Sequence, residues 1–172
     1  MTPNPYLTMA QNNAWANATL YAAISGLSDE EFAAPRPGFF PSLAATLNHI
    51  YEVDLYYVDA LEAGGRGRSV YDRAEIPDVA TLARAQALVD QRLIAFCAGL
   101  TPEMLSELRQ TERAAETVRE EVGALVLHLV QHQIHHRGQA HTMVADAGIA
   151  PPQLDDFHLE YGRVPSARSY FL

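Results

Sequence analysis

Residues 128–139 read HLVQHQIHHRGQ and place four of the chain's seven histidines, His128, His132, His135 and His136, within nine positions. Residues four apart lie one turn above each other on an α-helix, so His132 and His136 form a side-by-side pair. That is the spacing at which two imidazoles can grip one metal ion. Wound at about 100° per residue from His132, His136 falls at about +40°, Gln139 at about −20°, His128 at about −40° and His135 at about −60°. Leu125, Leu129 and Met143 fall on the same side. The histidines are therefore expected on the apolar, bundle-facing stripe, with His141 opposite them in solvent. Imidazoles packed in a core are costly unless satisfied, and a metal satisfies them through the neutral ring.

Working outward, the helix that carries this stretch is expected from about Thr117 to Ala147, stopped by Gly148 and Pro151-Pro152. Pro/Gly punctuation separates three earlier helices. The first runs from about Tyr6 to Leu27, with Leu7, Ala14, Ala18, Tyr21, Ala22 and Leu27 inward and Ser28-Asp-Glu-Glu ending it. The second runs from Pro41-Ser42 to Glu62. The third runs from Asp78 to Ala98, with Leu82, Ala85, Leu88, Val89, Leu93 and Phe96 as its stripe. No segment alternates as a half-buried strand does, so no sheet is expected. The reading is all-α: one four-helix-bundle domain spanning residues 1–172, with an irregular aromatic tail from about residue 150 that carries Phe157, Tyr161, Tyr170 and Phe171.

A third ligand has to come from another helix, and His49 is the leading candidate. His49 lies roughly 12 Å from the start of the second helix, and His136 roughly 16 Å from the end of the fourth. One shared ion puts them at the same level, which favours antiparallel second and fourth helices. An up-down-down-up bundle provides that if residues 65–77, about 43 Å when extended, cross its length.

Around this core, roles are assigned by reach. His128 and His136 are roughly 12 Å apart along the helix, too far to share an ion with His132 between them. His135, about 100° round from His136, should point beside the ion and hydrogen-bond a bound water or substrate. Glu52, one turn after His49, could orient a ligand ring or act as a base, although an exposed helix carboxylate is the commoner case. The catalytic candidates are thus His135 and Glu52. Asp54 points away from His49. His158 in the tail reads as surface, and Cys97 as packing, since no charged neighbour depresses its pKa.

The bulk numbers exclude several classes. Net charge is −9 and the 12 basic residues are scattered, so nucleic acid and anionic membrane are poor partners. One cysteine precludes an internal disulfide framework and fits a reducing cytoplasm. The start, MTPNPYLTMAQNNAW, lacks a basic region followed by an apolar run, so no secretory leader is expected. Nothing approaches a membrane span. There is no Gly-rich phosphate loop, no GxSxG and no HExxH.

Three stretches resemble the DinB-like (YfiT-type) metalloenzyme family: Asn13-Ala-Trp15-Ala-Asn17, Phe39-Phe40-Pro-Ser42 through Thr46-Leu-Asn-His49-Ile to Asp54, and His132-Gln-Ile-His135-His136-Arg137-Gly138-Gln139. The resemblance implies an up-down-down-up bundle and a divalent metal held by His49, His132 and His136. It also implies a homodimer, which the aromatics Tyr6, Phe39, Phe40, Tyr170 and Phe171 favour. The family often has Trp a few residues after the Asp, where this chain has Tyr57. Relatives with assigned activities tend to be thiol-dependent isomerases and S-transferases. The family name refers to induction by DNA damage and does not imply DNA binding.

Three histidines would leave at least one position on the ion for water or a thiol, and coordination lowers the pKa of either. The first expectation is an enzyme acting on a small-molecule substrate, namely a metal-dependent low-molecular-weight-thiol S-transferase. The alternatives are metal-hydroxide hydrolysis or a non-catalytic metal-binding stress-response protein. Imidazoles suit several metals; zinc or nickel is expected first, then iron or manganese.

Overall fold

The starts of the first four α-helices are fixed by side-chain caps. In the computed structural model, which describes residues 4–159 and 164–171, Asn4 accepts from the Leu7 N–H and Pro5 takes the first helical position of α1 (Pro5–Ala23). Ser28 and Glu31 form a reciprocal capping box. The Ser-Asp-Glu-Glu stretch expected only to end the first helix therefore opens a short one, α2 (Asp29–Ala33). Ser42 and Asp78 cap α3 (Leu43–Leu61) and α4 (Val79–Ala98) in the same way. The last helix, α5, spans Val122–Asp146, and Gly148 beyond it adopts φ +75°.

The expected absence of strands is corrected. Leu108–Glu112 (β1) and Thr117–Glu121 (β2) pair as an antiparallel hairpin, so α5 begins five residues later than its pattern suggested. β-Branched Thr111, Thr117 and Val118 suit paired strands. LRQTE and TVREE alternate in burial but are nearly all polar, so no apolar alternation shows in the sequence. The hairpin is tied down by Tyr56, whose hydroxyl donates to the Glu112 carbonyl and accepts from its N–H. A Thr111–Glu120 hydrogen bond and an Arg113–Glu120 ion pair link the two strands.

Contacts between helices fix their directions. Thr46, His49, Asp54 and Tyr57 of α3 meet Met143, His136, Gln133 and His128 of α5 in turn, so these helices are antiparallel. Asp54 with Gln86 and Glu62 with Arg92 make α3 and α4 parallel. Asn4 with Cys97 and Asn17 with Asp90 make α1 and α4 antiparallel. The bundle is up-down-down-up, as expected. Parallel α3 and α4 require the connection to cross about 28 Å, the length of a 19-residue helix. It does so through a 3₁₀ turn at Gly67–Tyr71 that buries Val70. Asn48 then pins the return, exchanging hydrogen bonds of 2.9 and 2.8 Å with the Ile76 backbone.

Three expected inward residues face outward: Ala18 and Ala22 of α1, and Leu88 of α4, which is 71% exposed. On α1 the buried face instead carries Asn13, Trp15 and Asn17. An apolar stripe leaves out polar side chains that find partners inside the bundle, and the true face includes them. Cys97 is buried packing, its thiol pushed up to about 12 by desolvation. Part of the tail packs too: Phe157 is buried against Trp15, while His158 is exposed. Tyr161 lies outside the described residues.

Candidate metal centre

His49 sits in the second turn of α3, and His132 and His136 one turn apart on α5. The ring centroids of the three are 4.4 to 5.0 Å apart. One nitrogen from each lies within 4.8 Å of the others, and among the described residues this is the group of side chains that could hold an ion. The Nε2 atoms of His49 and His132 are 3.1 Å apart. Two nitrogens on one tetrahedral zinc stand about 3.3 Å apart, given bonds of about 2.0–2.1 Å. The spacing therefore fits a shared ion.

The electrostatics fit as well. Desolvation, and then the neighbouring imidazoles, push His49 down to about 4 and His132 to about 3. Desolvation lowers His136 too. All three rings are neutral near pH 7, the state a metal ligand needs. Gln139 selects the tautomer of His136. Its Oε1 accepts from His136 Nδ1 at 2.8 Å, which leaves the Nε2 lone pair free. The same amide reaches His135 Nε2 at 3.1 Å through its Nε2. His132 Nδ1 is buried with no partner. Phe40 packs over His49 with centroids 4.5 Å apart, and Phe39 and Phe40 both lie near His136. His49 and His132 remain partly exposed, so the cluster reaches solvent.

The other histidines lie beside the cluster. His128 is exposed, packs on Tyr57 and is 6.2 Å from His132 between centroids. His135 is exposed and meets the edge of His136. The stripe is thus rotated from its expected position. The buried arc of α5 runs from Leu125 and His136 through Gln133 and Arg137 to Val130, with His132 at its border. Glu52 is paired with Arg73 at 3.1 Å, and Arg73 also lies over the Tyr51 ring. His141 is bonded to the Pro152 carbonyl, so it holds the tail instead of lying free in solvent.

Behind the histidines lies a buried polar layer that sequence reasoning did not find. Arg137 donates to Asn13 and Asn17 at 2.7 and 2.8 Å. Both asparagines donate to Asp90, and Gln86 donates to Asp54 and Asp90 at 2.7 and 3.0 Å. Gln133 closes the set by donating to Asp54. On α1 and α5 these residues fall between two apolar clusters, one around Val53 and Leu129, the other around Leu47 and Met143, and on α3 and α4 Asp54 and Asp90 sit at the edge of the first. Desolvation and the Asp90 charge push the Asp54 carboxyl up to about 8. Desolvation pushes Asp90 to about 6, and lowers Arg137 to about 10. The signal was present in the sequence: Asn13/Asn17, Gln86/Asp90 and Gln133/Arg137 are polar i, i+4 pairs on three different helices, and Asp54 sits on the fourth.

Fold and site define a four-helix-bundle protein with a three-histidine candidate metal centre. The chain belongs to the DinB family, whose sequence model matches residues 1–165. It is 23% identical over 150 residues to Protein DinB of Bacillus subtilis (strain 168), covering 83% of this chain and 86% of that protein. Two crystal structures share the fold, each with a TM-score of 0.62. A DinB-like protein from Bacillus cereus ATCC 10987 is 18% identical and covers 81% of this chain and 90% of its own. A DinB-like protein (YjoA) from Bacillus subtilis is 19% identical and covers 87% and 96%. No helix among the described residues is long and apolar enough to cross a membrane.

Proposed function

We propose that this protein is a metal-dependent enzyme whose His49, His132 and His136 hold a divalent ion, zinc or nickel before iron or manganese. Its first activity is transfer of a low-molecular-weight thiol. The observation that carries the reading is the convergence of three neutral imidazoles, with no fourth ligating side chain in the group among the described residues. A divalent ion held there supplies Lewis acidity, which favours the thiolate form of a thiol at neutral pH.

The chain's own residues do the rest. Gln139 fixes the His136 ring, and Phe39 and Phe40 cover one side of the cluster and limit water. His135 and Glu52 are the candidate proton carriers. His135 accepts from Gln139 at Nε2, so its proton sits on Nδ1, where it can be donated. Glu52 acts in this role only when released from Arg73.

The test is metal analysis of native protein and of His132→Ala, followed by a conjugation screen with several thiols against one alkylating electrophile. About one equivalent of metal and metal-dependent conjugation are expected for native protein, and neither for His132→Ala. Unchanged metal content in the variant would overturn the site. A loaded protein inactive with every thiol, but hydrolysing ester or amide substrates, would move the activity to hydrolysis. Inactivity with both would favour a non-catalytic metal-binding role.

A further inference from the structure

Phe39 and Phe40 stand at the His136 end of the histidine cluster. At the His132 end, one turn nearer the start of α5, lies His128, with ring centroids 6.2 Å apart. There a cavity of about 370 Å³ opens between α3, the start of α5 and the hairpin. Its apolar surface comes from Leu125, Ala124 and the Tyr57 ring, on which His128 packs. The volume is at the lower end of ligand sites, about 300–1,000 Å³.

Both signs of charge face this cavity. Arg113, between the two strands, uses Nη2 on Glu120 at 2.6 Å and is about half exposed. A guanidinium has five N–H donors, so an edge remains for a further acceptor. The Tyr57 hydroxyl lies beside it: burial raises the phenol's pKa, and the Arg113 charge offsets part of that rise. Both Glu120 oxygens are engaged, because Thr111 donates to the second. Glu121 differs: it is exposed at the N-cap position of α5, and its side chain caps no backbone N–H there. A plain carboxylate in the cavity would meet the Glu121 charge, and a plain ammonium the Arg113 charge. A group that carries both signs can meet an opposite charge at each end.

We propose that this cavity seats the far end of the substrate thiol, and that this end is a zwitterionic α-amino-acid group. The proposal rests on the thiol reading of the metal centre. Arg113 and the Tyr57 hydroxyl receive the carboxylate, Glu121 receives the ammonium, and the methylenes leading back to the sulfur run over Leu125. Depth sets the length of the thiol. His128 is about 6 Å and Ala124 about 12 Å from His132 along α5. In γ-glutamylcysteine seven bonds separate the sulfur from the α-carbon of the head group, about 9 Å when extended. In cysteine two bonds do, about 3 Å, which is too short to reach the cavity from the ion.

The test reads binding, not turnover. Protein loaded with cobalt(II) is titrated with thiols, and the sulfur-to-cobalt absorption reports occupancy. Four thiols share the cysteine end: γ-glutamylcysteine, glutarylcysteine without the head ammonium, 4-aminobutyrylcysteine without the head carboxylate, and N-acetylcysteine without a head. Native protein should bind γ-glutamylcysteine roughly fivefold or more tightly than each of the others. Arg113→Gln should erase the preference over 4-aminobutyrylcysteine and keep the one over glutarylcysteine. Glu121→Gln should do the reverse. Both positions are exposed and outside the histidine cluster, so cobalt content checks that each variant is folded and loaded. Equal affinities for the four thiols in native protein would overturn the proposal and leave thiol binding standing. Preferences unchanged in both variants would do the same. Absence of bound cobalt, or of thiol absorption with all four, would overturn it together with the thiol reading.

Discussion

Replacing Asp54 by Asn isolates the carboxyl at the centre of the buried layer. Asp54 Oδ2 accepts from Gln86 and Gln133, and an amide oxygen can accept both bonds in its place. Asp54 Oδ1 is buried without a partner, so the amide nitrogen displaces no existing bond. Folding raises the Asp54 pKa from 3.8 to about 8. The folded state therefore holds a proton that the unfolded chain has already lost. For a raised carboxyl the sign is definite: its contribution to stability is fully present below pH 3.8 and is lost as pH rises through about 8. Each pH unit inside this window costs up to about 1.4 kcal/mol. Between pH 6.5 and 8 the loss is on the order of one to two kcal/mol, because the slope halves as the folded group begins to ionise. For a chain of this length that is a fall in Tm of about 3–6 °C. Thermal unfolding followed by circular dichroism, in chelator at pH 6.5, 7.25 and 8, measures it. Native protein should lose those degrees and Asp54→Asn should stay level. Equal falls in both proteins would assign the proton to another group, and a level native curve would show Asp54 ionised throughout; either result refutes the reasoning.

Gln139→Leu should lower metal affinity about 10- to 100-fold by freeing the His136 tautomer, with His49 and His132 still in place. Competition with a chelating dye reads this, and an unchanged affinity would remove Gln139 from the site. Metal affinity should fall less than tenfold from pH 7 to 5.5, because the His49 and His132 rings titrate at about 4 and 3 and stay neutral across that range. Three imidazoles titrating near 6.5 would lose roughly several hundred-fold over the same interval. We also propose a homodimer, on the exposure of Phe39 at 75% and Phe171 at 50%. Light scattering at micromolar concentration should give twice the chain mass, and a monomer mass would count against it.

The sequence by itself determined the helical class, the long crossover and the His132/His136 pair. Each follows from a local rule: a period of 3.6 residues, punctuation by Pro and Gly, and i, i+4 spacing on one helix face. His49 entered as the leading third candidate and through the family resemblance, and the structure brought the three together. Even the antiparallel pairing of α3 and α5 followed from depth, because rise per residue is fixed and a shared ion demands one level. What only the tertiary structure decided are features whose stabilising partners lie far away along the chain. Thr117–Glu121 becomes a strand because β1 supplies its hydrogen bonds, and nothing within five residues reveals that. The buried face of α5 turns toward Gln133 and Arg137 because Asp54, Asn13 and Asn17 wait for them on other helices. A polar side chain reads as solvent-facing until its partner is known. The apolar pattern alone therefore sets His128 and His135 too deep and turns Ala18, Ala22 and Leu88 inward, whereas all five are exposed. The rotation of each helix about its own axis was fixed by where polar groups could be satisfied, and that is a property of all four long helices together.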